Sequence, residues 1–183
     1  MTAPAEGLYL LVVRYPDRFG LPAPVGTVPG FATGQTDQFT RSRTPIMRET
    51  LQPGLSHVFS FIVPQGKTVP HLYPESPEFQ AMPQVFATGF MVGLIEWTCI
   101  QLLEPHLDWP REQTVGTHVD LSHTAATPPG FTVRVRVRLE RVEGRKLSFS
   151  VEADDGVDPI CQGIHERFVI DAAKFNARVA EKA

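Results

Sequence analysis

The sequence predicts an α+β fold, an antiparallel β-sheet wrapped around one long central α-helix, and three observations predict it. Val85 to Leu107 carries apolar residues at helical spacing around nearly its whole circumference, which places that helix inside the protein. Five segments read as strands, one before this helix and four after it. The four later strands are joined by only a few residues, enough for hairpins but too few for the crossovers that parallel strands need.

The elements follow in order. Residues 1–50 are predicted to be a disordered N-terminal extension: Pro22, Pro24, Gly26, Pro29, Gly30 and Gly34 recur, and Gly34 to Thr44 is polar with no helical or strand period. Leu8 to Arg14 is its one candidate strand. Residues 51–183 form the folded domain. Leu55 to Val63 alternates with apolar residues on both sides, as a first strand lying on a core does, and Pro64 ends it. Between Pro70 and Pro83 four prolines exclude a regular element, while Val69, Leu72, Phe79 and Met82 supply irregular apolar anchors. That pattern fits a surface lid and equally a loop pinned to the core.

In the central helix Phe86, Phe90, Leu94, Trp97, Ile100, Gln101 and Glu104 step by three or four until Pro105 stops the pattern. Strands follow at Val115–Leu121, Thr132–Leu139, Lys146–Ala153 and Ile160–Ile170, with turns at Gly144 and at Asp154 to Gly156. Ala172 to Lys182 reads as a short surface helix.

Composition narrows the function. At 183 residues, 42% hydrophobic and 20% charged, the chain suits one ordinary globular domain. A net charge of −3 gives no basic face for nucleic acid, and none is expected as a partner. The run Leu8 to Val13 is too short for a membrane span and has no basic residue before it, so neither a membrane anchor nor a secretory signal is expected, and the protein is assigned to the cytoplasm. Two cysteines, Cys99 and Cys161, are too few for a disulfide framework and are expected to be reduced. The six histidines show no metal-ligand spacing, so general acid–base work is favoured over metal binding.

Three side chains stand out chemically. Thr88 opens the helix, where a threonine serves as an N-cap but also, with an adjacent base, as a nucleophile or a water-orienting hydroxyl. Glu96 lies among Leu94, Ile95, Trp97 and Ile100, and a carboxylate there is costly to bury unless paired or functional. His123 ends a strand and opens the run Thr124 to Gly130, from which it can project into a pocket. Thr88 and Glu96 are about 12 Å and about 80° apart on a regular helix, too far for their short side chains to touch. Gly116 can let a backbone N–H approach a reacting oxygen, or can mark a bulge. Arg134, Arg136, Arg138, Arg141, Arg145 and Lys146 suggest a phosphate site, but strand alternation alone puts arginines on a solvent face.

Several strings add to this: His71 to Phe79 (HLYPESPEF), Gly89 to Leu94 (GFMVGL), His123 to Gly130 (HTAATPPG), Asp155 to Asp158 (DGVD) and His165 to Arg167 (HER). In this order and spacing they resemble the fluoroacetyl-CoA thioesterase family of hotdog-fold enzymes, from about Arg48 to Val179. That resemblance starts near Met47, so the preceding stretch reads either as an upstream extension or as a misassigned start, outside the catalytic domain. The resemblance implies hydrolysis of a short acyl-CoA without metal or organic cofactor, by Thr88, Glu96 and His123. Arg167, in the HER string, is the expected polar contact in the site, and Val69, Leu72, Phe79 and Met82 would close over the acyl group. Hotdog active sites lie at dimer interfaces, so a homodimer is expected. The family pattern has a phenylalanine immediately before the proline of the lid, where this chain has Met82. The alternative is a non-hydrolytic acyl-CoA-binding or enoyl-CoA hydratase-like protein, since fold alone does not fix chemistry.

Overall fold

A computed structural model describes residues 47–182, and the strand expected at Leu8 to Arg14 lies outside the described residues. Strand β1 (Ser56–Ile62) is followed by a one-turn helix α1 (Pro77–Gln80), the central helix α2 (Thr88–Leu103), strands β2 (Glu112–His123), β3 (Thr132–Glu143), β4 (Lys146–Asp154) and β5 (Pro159–Asp171), and helix α3 (Ala172–Ala180). The five strands form one sheet in the order β1-β3-β4-β5-β2, with every pairing antiparallel, as the short connections require.

Period-two alternation decides what faces α2. On β3 the buried set is Val133, Val135, Val137 and Leu139, while Arg134, Arg136 and Arg138 point to the opposite face. The buried strand residues, with Leu147, Phe149 and Val151 of β4, meet Met91, Ile95, Cys99 and Leu103 of α2 in one core. Full burial of each large aliphatic side chain stabilises by about 1.5–3 kcal/mol, so this interface dominates the fold. The arginines are accounted for locally: Arg136 reaches Asp154 at 2.6 Å and Arg138 lies 3.6 Å from Glu140, half-exposed pairs worth at most about 1 kcal/mol. The solvent-face reading of this strand therefore accounts for Arg136 and Arg138 without a phosphate ligand.

Three expectations need correction. The central helix starts at Thr88 rather than Val85, because Phe86 N–H donates to Thr127 O (2.8 Å) and Ala87 N–H to Lys67 O (3.1 Å), which ties both residues to neighbouring segments. It ends at Leu103; Pro105 has no N–H for the ladder and sits in a 3-10 turn, Glu104–His106, before Leu107. The prolines between 70 and 83 do not exclude regular structure either. Pro70 and Pro77 occupy early positions of a 3-10 turn (Val69–His71) and of α1, where a missing N–H has no partner to lose, and Ser76 caps α1 by accepting from Phe79 N.

The edges of the domain are also pinned. Leu51 is buried, Met47 packs against the same core, and Arg48 N–H donates to His106 O at 3.1 Å. At the other end Asp171 caps α3 at Lys174 N, and Phe175 packs on Phe168 and Ile170. Among the described residues no helix is long and apolar enough to cross a membrane.

Candidate active site

Thr88 is the first residue of α2, and its side chain does not cap the helix. Ala87 is the N-cap, which leaves the Thr88 hydroxyl free to meet His123: Oγ1 and Nδ1 are 2.8 Å apart. A loop frame holds the pair. His123 ends β2; Thr124 N–H donates to Ile160 O; and Thr127, fully buried, both accepts from Phe86 N at its carbonyl and donates its hydroxyl to Asp155 Oδ2 at 2.9 Å. Asp155 Oδ1 accepts from Val157 N and Asp158 N. Burial raises the Asp155 pKa, but these hydrogen bonds together outweigh it and bring it below its ordinary value. The HTAATPPG and DGVD strings are thus one hydrogen-bonded unit that fixes His123 against the start of α2. At its far end Gly130 takes φ 89°, a conformation open to glycine, as its N–H turns back to Val63 O.

Burial lowers the pKa of His123, against a smaller opposing effect of the Ala125 backbone, so the imidazole is neutral at neutral pH and able to take a proton. Its Nε2 is buried and has no hydrogen-bond partner among the described residues. Cys161 stands across from His123 in the β2–β5 ladder, but burial pushes its thiol up to about 11, and that of Cys99 up to about 12, so neither is a thiolate nucleophile at neutral pH.

Glu96 belongs to a second cluster. Helix α2 is regular between Thr88 and Glu96, and Glu96 turns toward the sheet, where Oε1 lies 3.5 Å from Arg167 NH1 and 3.8 Å from His165 Nε2. Arg167 is 2% exposed, and its Nε and NH2 donate to Thr114 Oγ1 and Thr114 O, both at 2.9 Å. Gly116 makes room for this arrangement, since a Cβ there would collide with Glu96 Oε1 and come within 3.2 Å of His165 Cε1. The β2–β5 register shifts just beyond it, between Gly116 and His118.

His165 escaped sequence reasoning, which set it aside for lacking metal spacing. The available signal was its place two residues before Arg167 on a strand, which puts both side chains on one face. Its pKa is lowered to about 3, first by burial and then by the neighbouring Arg167 charge, with an opposing contribution from the His118 carbonyl. The unfolded chain, with an ordinary histidine pKa near 6.5, binds the proton first, so the contribution of His165 to stability is full above about pH 6.5 and falls toward pH 3, by at most about 1.4 kcal/mol per pH unit. Urea melts at pH 7.5 and pH 5.0 should show a lower midpoint at pH 5.0, with the difference reduced in His165→Gln; equal pH dependence in both proteins would contradict this.

The expected lid lies over the start of α2. Leu72 sits against Gly89, whose missing Cβ would come within 3.0 Å of its Cδ1. Val69, Leu72 and Phe79 are half-buried, Phe79 stacks near Tyr73 with ring centroids 5.5 Å apart, and Met82 is 48% exposed at the end of the segment. The structure therefore brings Thr88 to His123, and Glu96 to Arg167 and Gly116, while the two clusters stay separate on one helix. A neutral imidazole bonded to a hydroxyl suits proton transfer at an acyl carbon, and a carboxylate beside a fixed guanidinium suits orienting water. Among the described residues no three His, Cys, Asp or Glu side chains converge as metal ligands would.

Known proteins share this arrangement of elements. The family model for fluoroacetyl-CoA-specific thioesterases matches residues 71–173. The fluoroacetyl-CoA thioesterase of Streptantibioticus cattleyicolor is 54% identical over 136 residues, which cover 74% of this chain and 97% of that protein. A solved structure of the fluoroacetyl-CoA thioesterase FlK, a threonine-to-alanine variant with fluoroacetate, is similar at a TM-score of 0.71 and 54% identity, covering 73% of this chain and 99% of its own. A thioesterase superfamily member from Thermus thermophilus is 30% identical at a TM-score of 0.63, covering 72% of this chain and 95% of its own.

Proposed function

Because this chain belongs to the fluoroacetyl-CoA thioesterase family and has its hotdog fold, we propose that it hydrolyses short acyl-CoA thioesters to free acid and CoA, with Thr88, His123 and Glu96 as the catalytic residues. The observation that carries the reading is the 2.8 Å contact between Thr88 Oγ1 and a neutral His123 Nδ1. His123 takes the hydroxyl proton as Oγ1 bonds to the thioester carbon; the C–S bond breaks, and the imidazolium returns the proton to the leaving thiolate. Water, oriented by Glu96 across the space that the acyl group occupies, then adds to the acyl carbon and gives a proton to His123; the bond to Oγ1 breaks and His123 returns the proton to Oγ1, which frees the acid. Arg167 and Gly116 border the site from the sheet, and Val69, Leu72, Phe79 and Met82 cover the acyl group.

The working unit is a homodimer. Strand β2 carries Gly116 and ends at His123, and among the described residues this 12-residue strand lies at the sheet edge, paired on its β5 side alone. A long edge of unpaired N–H and C=O groups favours pairing with the same strand of a second copy, which would set the site beside the partner. Two free, buried thiols, Cys99 and Cys161, suit a reducing cytoplasm.

Release of free thiol from acetyl-CoA and fluoroacetyl-CoA, followed with a thiol reagent, tests the function. Binding of acyl-CoA without thiol release would overturn it in favour of a non-hydrolytic hotdog protein.

Selectivity is expected to be broad. Met82 is a flexible, half-exposed thioether where the family pattern has a rigid ring, and methionine adapts to ligands of different shape. Fluoroacetyl-CoA should be accepted without a strong preference over acetyl-CoA, and Met82→Phe should raise that preference. Comparison of kcat/KM for both thioesters decides it: a large native preference that the substitution leaves unchanged would remove Met82 from this role.

A further inference from the structure

We propose that His165 is a positioning residue of the hydrolytic site: set between the His118 carbonyl and Arg167, it engages one N–H of the guanidinium, so that NH1 is aimed at Glu96 without closing onto the carboxylate. This rests on the thioesterase reading above. The partners dictate the proton positions. His165 Nδ1 lies 2.8 Å from His118 O, and a carbonyl only accepts, so Nδ1 carries the hydrogen. Nε2 lies 3.1 Å from Arg167 NH1, and a guanidinium only donates, so Nε2 offers its lone pair. The 3.8 Å approach of Nε2 to Glu96 Oε1 is therefore two acceptors flanking one donor group and not an ion pair.

Arg167 has little freedom left. Thr114 takes Nε and NH2, and NH1 stands 3.1 Å from His165 but 3.5 Å from Glu96. The carboxylate keeps a nearby positive charge yet stays short of a tight bidentate pair, which would engage both its oxygens and weaken it as a base for water. The groups around His165 are Glu96 on α2, the His118 carbonyl on β2, the His118 imidazole, whose charge also disfavours protonation, and Arg167 on its own strand, with Cys99 of α2 near Arg167 and Glu96, and apolar Phe149 opposite on β4. The low pKa of the ring, about 3, agrees with an imidazole that stays neutral whenever the enzyme works.

Without the ring nitrogens NH1 loses its acceptor on the His165 side and can shift toward Glu96 within the hold that Thr114 keeps on Nε and NH2. In His165→Phe, kcat should fall about ten- to hundredfold while KM stays within about threefold, the pattern of a misplaced group rather than lost substrate binding. The pH–rate profile should also differ from the native one, because the cation beside the carboxylate has moved. His165→Gln, which restores an acceptor and a donor, should recover most of the turnover and the native profile. A folded His165→Phe with native kcat and pH profile would overturn the proposal. Imidazole 15N shifts of the wild-type protein give a reading that needs no assay: His165 should keep its proton on Nδ1 from pH 8 to pH 5. A ring that protonates in that range, or carries its proton on Nε2, overturns the positioning role even if the protein proves a competent thioesterase. Absence of thiol release from wild type would instead defeat the hydrolytic reading.

Discussion

His123→Ala is expected to lower thioester hydrolysis by at least about a hundredfold, the range usual for losing a general acid–base group, while the protein stays folded. The ring is hydrogen-bonded to Thr88, and burial keeps it neutral and able to take a proton, so its removal takes away the proposed base. Glu96→Gln should have a similar effect for a different reason: the amide keeps the shape beside Arg167 but cannot draw a proton from water. Thr88→Ser, which retains the hydroxyl, should be milder than Thr88→Ala. Steady-state kcat with acetyl-CoA decides the matter, and near-native turnover in either His123→Ala or Glu96→Gln would remove that residue from the mechanism.

The second large effect comes from a single methyl group. Gly116→Ala places a Cβ where Glu96 Oε1 now lies, with His165 Cε1 only 3.2 Å away on the other side. The carboxylate sits at the end of a flexible side chain and can swing away, so the stability cost should stay within about 1–3 kcal/mol. Activity has no such escape in the proposed mechanism, where the displaced carboxylate orients water and a misplacement of about 1 Å can cost a hundredfold in rate. A Gly116→Ala protein that melts slightly lower yet turns over like wild type would show that the close approach of Glu96 to the sheet is incidental.

The elements of this fold were legible where a local pattern determines them. Strict alternation on β3 announced both its buried valines and its outward arginines, and the apolar circumference of α2 placed it inside. What escaped depends on contacts between segments distant in sequence. The start of α2 is set by Thr127 and Lys67, which claim the N–H groups of Phe86 and Ala87, and no periodicity around residue 85 reveals that. On its own residues Thr88 read first as a capping or packing threonine, and only the family resemblance pointed to chemistry; its neighbour across 35 residues shows where the hydroxyl goes. The separation of Thr88 from Glu96 followed from helix geometry alone, whereas the partners of Glu96 did not: Arg167 was suspected from its motif, and His165 was passed over because its meaning lies in the His118 carbonyl across the bulge.

Thr127 gives the site a modular construction. One buried side chain ties the turn at Asp155 to the loop that begins at His123, and the carbonyl of the same residue anchors the entrance to α2, so Thr88 and His123 belong to one frame. The segment from Val69 to Met82 joins that frame at only a few points, chiefly the Thr68–Phe86 bridge and the Val69–Val85 hydrogen bond at its root and the seat of Leu72 on Gly89. Substitutions within it can therefore accumulate without disturbing the reacting atoms. Selection, or a directed-evolution library confined to residues 69–82, can retune which acyl group is admitted while inheriting the hydrolytic apparatus intact.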